Sequence, residues 1–298
     1  MTLGAMQNFV NYPAVFDSLT VNHILNLDFS SNIQKLVAKA GGSIDPKAIA
    51  EVVRENEIRI TSGDIGTILT AVSPINGLEI SSTGEIQWQQ RADGGVYSGS
   101  GTHITLNSTK GMLLPRTISS SQDSQEAASL ELSYFALRVG TNAPFVVNVS
   151  QSLTGTPAVN TLYKQGPVVF ENTLLQDIQD SNTDFGLTYE QFRGSGDIAA
   201  STGSITNREP KMEFTARNLE LLNSIGGGVT ALTNGITQYY RRVGYGDAQG
   251  AHIAISLASG SYEVMSVSGQ GDRSVDKKVT VTGINQISID LASTIPTS

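Results

Sequence analysis

Apolar and polar residues alternate with a period of two through most of this chain, and the apolar positions are rich in β-branched side chains. That pattern describes half-buried strands. In the first half it predicts strands at Thr20–Phe29, Glu57–Thr61, Glu85–Arg91, His103–Asn107, Gly111–Ser119, Leu130–Val139 and Phe145–Ser150. In the second half it predicts Val168–Ile178, Lys211–Thr215, Gly235–Arg242, His252–Leu257, Tyr262–Ser268, Val275–Thr282 and Ile287–Leu291. One short helix interrupts each set. After Thr61, Ser62 or Asp64 as caps, Ile65, Ile68 and Leu69 fall on one helical face. The stretch Thr215–Leu222 has the same form and stops at Gly226-Gly227-Gly228. Long inserts separate the early strands, Ser30–Asn56 with a helical turn expected at Lys47–Arg54, and Gln179–Glu209 as a loop. Met1–Pro13 and Thr294–Ser298 read as loosely held ends.

The two sets of elements also match residue by residue. Thr102-His103-Ile104-Thr105-Leu106 resembles Ala251-His252-Ile253-Ala254-Ile255, and Gly111, Ile118 and Ser119 meet Gly260, Val267 and Ser268 at the same spacing. Leu25, Asp28 and Phe29 meet Leu174, Asp177 and Ile178, while Ser31-Asn32 meets Ser181-Asn182. With gaps, Ile58–Thr61 matches Met212–Thr215, and Trp88–Arg91 matches Tyr239–Arg242. Self-similarity of this kind indicates an internal duplication. The expected fold class is therefore mainly β: two tandem β-sandwich or barrel-like domains, each with one short α-helix and one long loop. The first covers residues 1–150, a linker covers 151–166, and the second covers 167–298.

Charge follows the same division. Residues 1–149 carry 9 basic and 13 acidic side chains and residues 150–298 carry 10 and 14, so each half contributes −4 to the net −8. A nucleic-acid binder needs cationic side chains against phosphates, which this balance does not supply. With no cysteine, neither a disulfide framework nor a thiolate metal site is possible. No signal peptide is visible in Met1–Asn11, and no apolar run is long enough to span a bilayer.

Candidate chemistry is sparse. The three histidines, His23, His103 and His252, lack metal-ligand spacing, and the last two are equivalent by the repeat. Gly94-Gly95 and Ser98–Gly101 precede a strand rather than a helix, so they suit a hairpin loop better than a phosphate cradle. Glu85 and Glu131 lie on predicted strands and are the acids to consider for glycoside hydrolysis, their counterparts being Ile236 or Thr237 and Thr280. Trp88 and Tyr239-Tyr240 with Arg241-Arg242 can stack on a sugar or base, or pack as strand faces. No catalytic, cofactor-binding or metal-ligating residue is assigned.

The order strand, long loop, strand, short helix and then a run of strands resembles the tail-tube subunit of long-tailed bacteriophages. In the first half the resemblance rests on Leu25–Phe29, the loop Ser30–Asn56, Ile58–Thr61 and the helix Asp64–Leu69. It implies a non-enzymatic virion structural protein, located in the tail after assembly in the host cytoplasm. Tube subunits close as hexamers, so a fused pair would close as a trimer with pseudo-sixfold symmetry and stack on other rings. The partners it implies are copies of this chain, other tail or head proteins, and DNA that passes through an acid-lined channel without specific binding. Contact residues between subunits or rings would lie on the long loops, at Ser31, Asn32, Lys35, Asp45, Asn182, Tyr189 and Arg193. The alternatives are a capsid cement or head–tail adaptor protein, a carbohydrate-binding β-sandwich that stacks on Trp88 and Tyr239-Tyr240, and a β-rich glycosidase using Glu85 or Glu131.

Overall fold

A computed structural model describes residues 8–39, 45–91, 101–122, 127–158, 161–217, 228–268, 276–284 and 287–297. The first half runs β1 (Asn8–Phe16), β2 (Leu19–Val21), β3 (Ile24–Lys39), β4 (Pro46–Ser62), α1 (Ile65–Ala71), β5 (Leu78–Ile80), β6 (Gly84–Arg91), β7 (His103–Ser108), β8 (Gly111–Ser121), β9 (Ser129–Ala136) and β10 (Val146–Gln151). The second half runs β11 (Tyr163–Phe170), β12 (Thr173–Leu175), β13 (Ile178–Asp184), β14 (Leu187–Phe192), β15 (Thr202–Arg208), β16 (Lys211–Ala216), β17 (Thr230–Leu232), β18 (Ile236–Arg242), β19 (His252–Leu257), β20 (Gly260–Ser268), β21 (Asp276–Gly283) and β22 (Ser288–Ser293). The protein is mainly β, built of antiparallel sheets with one helix among the described residues.

Two outer sheets share one strand order. The first reads β10-β7-β6-β1-β2 and the second β22-β19-β18-β11-β12. Both cover a long central sheet, in which β5-β8-β9-β4-β3 from the first half adjoins β17-β20-β21-β16-β13 from the second. The two central segments again have one order, and they meet where β13 pairs with β8. Between the layers lies the core. Phe16 of β1 packs against Tyr134 of β9 with ring centroids 4.9 Å apart, and Phe170 of β11 packs against Phe214 and Tyr262 at 5.7 and 4.9 Å. Aromatic pairs at these separations add to the area they remove from water.

The register fixes which residues of the two halves correspond, and it shifts several matches expected from sequence. Ile24 and Ile178 each precede a one-residue bulge, after which Asn26 faces Thr61 and Asp180 faces Thr215. Leu25, Asp28 and Phe29 therefore correspond to Gln179, Asn182 and Thr183 rather than to Leu174, Asp177 and Ile178. Leu27-Asp28, not Ser31-Asn32, sits where Ser181-Asn182 does. Gly84 faces Ser108 as Ile236 faces Leu257, which sets Trp88 on Tyr240 and Glu85 on Thr237. Glu131 falls on Lys278 instead of Thr280. The matches Ile58–Thr61 with Met212–Thr215 and His103 with His252 coincide with this register.

The helix α1 buries Ile65, Ile68 and Leu69 as their spacing predicts, with Asp64 at the cap position. The second expected helix extends into residues 218–227, outside the described residues, as do Gly94-Gly95 and Ser98–Ser100. The insert Ser30–Asn56 is neither a loop nor a helical turn. It forms the extended arm of β3 and β4, paired from Ile24 opposite Ser62 to Lys39 opposite Pro46. Pairing of Ile49 with Val37, Ala50 with Leu36 and Val53 with Gln34 outweighs the helix propensity of Lys47–Arg54, because the facing strand offers a ladder that an isolated turn lacks. The insert Gln179–Glu209 continues β13 and then folds back as the hairpin β14–β15. Asn8–Pro13, expected to be loosely held, is part of β1 and pairs with β6. β10 ends at Gln151 and β11 begins at Tyr163, so residues 163–166 of the expected linker belong to a strand of the second outer sheet.

A matched pair of turns locks each half. Asp17, at φ 50°, accepts N–H bonds from Ser81, Ser82 and Thr83 at 3.0–3.2 Å and donates its own N–H to Thr83 O. Glu171, at φ 49°, accepts from Thr233 and Asn234 N–H and donates to Gly235 O. Burial pushes the Asp17 carboxyl up, but its hydrogen bonds outweigh that and hold it below the usual aspartate value. Stability from a depressed carboxyl is fully present above the unfolded value and is lost as pH falls through the folded one. Asp17→Asn is expected to lower the urea midpoint at neutral pH, with the gap closing as the pH is taken below about 3.9. A gap that stayed constant across that range would contradict this account.

Candidate functional site: the two open edges of the central sheet

No cluster of chemistry emerges where sequence pointed. His103 and His252 are buried, and each Nδ1 accepts a backbone N–H, from Gln90 at 3.2 Å and from Arg242 at 3.0 Å. His252 Nε2 lies 2.9 Å from Gly246 O. Their shared role is to tie β7 to the end of β6, and β19 to the end of β18. His23 is exposed at φ 46° in the turn before β3. Glu85 and Glu131 sit in different sheets, on β6 and β9, and Glu85 is taken up by Thr154 Oγ1 at 2.5 Å. The acids proposed for hydrolysis are thus not brought together. Tyr240 is fully buried with its hydroxyl 3.1 Å from Thr183 Oγ1, and burial pushes that phenol up to about 12. Trp88 is partly buried against the core. A sugar-stacking platform made of Trp88 and Tyr239-Tyr240 is therefore not presented, because Tyr240 faces inward. Among the described residues no three His, Asp or Glu side chains converge on a metal-sized site, and no helix is long and apolar enough to cross a membrane.

Expected contact residues fall into three places. Asn32, Tyr189 and Arg193 come together where the arm meets the β14–β15 hairpin. There Asn32 Nδ2 donates to Glu55 at 3.4 Å and Arg193 lies 4.0 Å from Glu55. Tyr189 stacks on Phe135 at 5.1 Å, and burial, aided by the charge of Glu79, pushes its phenol up to about 12. Ser31 bonds Asn56 across the arm at 2.7 Å, while Lys35 lies further out and Asp45 immediately precedes β4. Asn182 is elsewhere, in β13, opposite Ser119 and Glu213.

Asn182 marks the feature that sequence did not disclose. Five residues of β13 pair with five of β8, from Asp180 opposite Ser121 to Asp184 opposite Thr117. Beneath this ladder Ser120, Ser181 and Gln165 bond one another, with Ser120 Oγ to Ser181 Oγ at 3.0 Å and Ser181 Oγ to Gln165 at 2.8 Å. The same two strand positions recur, unpaired, at the ends of the sheet. Among the described residues β3, which corresponds to β13, pairs only with β4, and β20, which corresponds to β8, has no partner opposite Val264–Ser268 on the side away from β21. On the core-facing side of β3 apolar side chains are left exposed. Leu25 is 47% and Phe29 50% exposed, where their counterparts Gln179 and Thr183 are 7% and 1%. An exposed row of backbone N–H and C=O groups flanked by apolar side chains is a template for another strand.

The solvent face of the central sheet is polar and acidic. Asp28, Glu57, Glu131, Asp180, Asp184, Glu213 and Glu263 alternate with the core residues, against Arg59, Lys211 and Lys278. Lys278 pairs with Glu213 at 2.8 Å, Arg59 with Glu57 at 3.1 Å and Lys211 with Glu209 at 3.3 Å, so all three cations are matched.

No protein-family model matches the chain, and no curated protein matches it. What the fold defines is a class, a mainly-β protein of layered antiparallel sheets.

The edge and the internal joint can be told apart by mutation. Thr183→Asp buries a charge beside Tyr240 and is expected to cost about 3 kcal/mol or more. Phe29→Asp loses mainly the edge contact with Phe145 and is expected to cost about 1 kcal/mol in the monomer. Equilibrium unfolding of dilute protein measures both, and equal costs would mean that β3 is not an open edge.

Proposed function

We propose that this chain is a non-enzymatic structural subunit of a virus particle, the tube of a long phage tail, and that it arose by internal duplication. The reading is carried by one observation: the β8–β13 ladder joins two segments of identical strand order, and the same two strand positions stand open at opposite ends of the sheet. A contact whose donor and acceptor surfaces differ is head-to-tail, and repeating it yields a ring or a filament. Here β3 of one copy takes the place of β13 beside β20 of the next. Closure leaves no unpaired edge in the central sheet, and it buries the apolar row Leu25, Leu27 and Phe29.

Three copies would bring 24 strands into the ring wall, because β3, β4, β9 and β8 and their counterparts supply eight per chain. Strands about 4.8 Å apart and tilted about 40° then give a barrel about 45–50 Å across at the backbone, wide enough for a DNA duplex. The acidic face would line that channel and keep phosphates from sticking. The count of three comes from the resemblance to hexameric tube subunits.

The test uses the absence of cysteine. Corresponding positions set Asp28 of one copy opposite Ser268 of the next, as Asn182 stands opposite Ser119 within the chain. Asp28→Cys with Ser268→Cys is expected to give a disulfide-linked ladder ending at three copies, since directly opposed strand residues lie within disulfide reach. Asp28→Cys with Val264→Cys, out of register, is expected to stay monomeric under denaturing electrophoresis. Electron microscopy of the assembled protein should show threefold rings of the diameter above. Protein that stays monomeric at high concentration, with no in-register cross-link, would sink the proposal.

A further inference from the structure

At the internal joint the second half does more than add a strand. Beyond β13 the chain turns at Phe185-Gly186, with Gly186 at φ 64°, and sends the β14–β15 hairpin over the ends of β8, β9 and β4. Segment 197–201 lands there. Ile198 O accepts the Arg54 N–H at 2.9 Å, Ala200 O accepts the Arg138 N–H at 2.8 Å, and Ser201 O accepts the Lys110 ammonium at 3.0 Å. Asp197 pairs with the Arg138 guanidinium. Leu137, the first residue past β9, is covered and only 5% exposed.

The corresponding residue past β21 is Ile284. Its N–H bonds Ser259 O at 3.2 Å, as the Leu137 N–H bonds Lys110 O at 2.9 Å, so the two hold one position in one local geometry. Yet Ile284 is 78% exposed. Ile284 is thus left in water at the place where the second half lacks the covering that segment 197–201 gives the first.

We infer that Ile284 and the adjoining end of β21 are a docking site for the β3–β4 arm of a second copy of this chain. The inference rests on the head-to-tail reading above, which brings β3 of the neighbour beside β20. The internal template selects the occupant. The segment that covers Leu137 is the insert leaving β13, and the insert leaving β3 is the arm. The arm also carries the matching surface. Ile33, Leu36, Val37, Ile49 and Val52 are all exposed, and the part of a two-stranded ribbon that reaches past its own β14–β15 hairpin is marginal without a further surface to pack on. The neighbour's edge strand and its arm thus engage one copy at two separate places, β20 and the end of β21.

The test places a photo-reactive benzoylphenylalanine at position 284, where exposure leaves room for it, in protein that also carries Asp28→Cys and Ser268→Cys. Assembly is made from a mixture of normal and heavy-isotope chains, so that peptides joined between molecules carry mixed masses. Illumination is expected to join position 284 to peptides from residues 30–56 of another molecule. In assembled protein, Ile284→Cys is expected to react with a maleimide about tenfold slower than in dilute monomer. If the edge disulfide forms but position 284 cross-links elsewhere, or labels at the monomer rate, the docking site is wrong and the head-to-tail reading stands. If the edge disulfide and the cross-link both fail, both readings fall.

Discussion

Five residues of β13 laid against five of β8 decide the organisation of this molecule. Without that ladder the central sheet would be two separate five-stranded pieces, each covered by its own outer sheet. With it, the polar solvent face runs unbroken from β3 to β20, and the β14–β15 hairpin is delivered onto the first half. The ladder is also unusual in chemistry for an inner contact. Its core-facing side holds Ser120, Ser181 and Gln165 in mutual hydrogen bonds, with Thr183 joined to Tyr240. Such a cluster costs desolvation and contributes little net stability, but it tolerates only one register, because a one-residue slip strands every member without a partner.

At the open edges the chemistry is reversed. Leu25, Leu27 and Phe29 take the places of Gln179, Ser181 and Thr183. A contact within one chain is held at high effective concentration by the covalent link, so it can be polar and still form. A contact between chains must also offset the translational and rotational freedom it removes, and apolar burial is the surest source of that free energy. The difference between β3 and β13 lies in the direction that the proposed contact between chains requires.

Much of the fold was legible in the chain. Alternation marked most strands, the spacing of Ile65, Ile68 and Leu69 marked α1, and His103 with His252 marked a correspondence that the backbone register shares. Three things were not legible. The offset between corresponding residues is five positions larger at Leu25 and Gln179 than at His103 and His252, so identities in the early strands, matched at the later spacing, fell on the wrong partners. The arm reads as a loop because its outer residues are exposed on both faces, and alternation carries no signal where there is no core to face. The open edges were invisible because an edge is defined by who pairs with whom, and pairing between β8 and β13 spans 59 or more positions of sequence, from Ser121 to Asp180. The acids Glu85 and Glu131 attracted attention for their residue type alone, and only topology could separate them into different sheets.

The two inserts leave equivalent strands but take different paths. One continues straight as a ribbon of 16 and 17 residues, while the other is turned down at Gly186. A closed ring of three chains would therefore carry three β3–β4 ribbons alternating with three β14–β15 hairpins, although its wall would look nearly sixfold. A second ring meeting such a face could seat in only half the rotational settings that a true hexamer offers. The break in equivalence would act as an index mark, setting the angle at which successive layers come to rest.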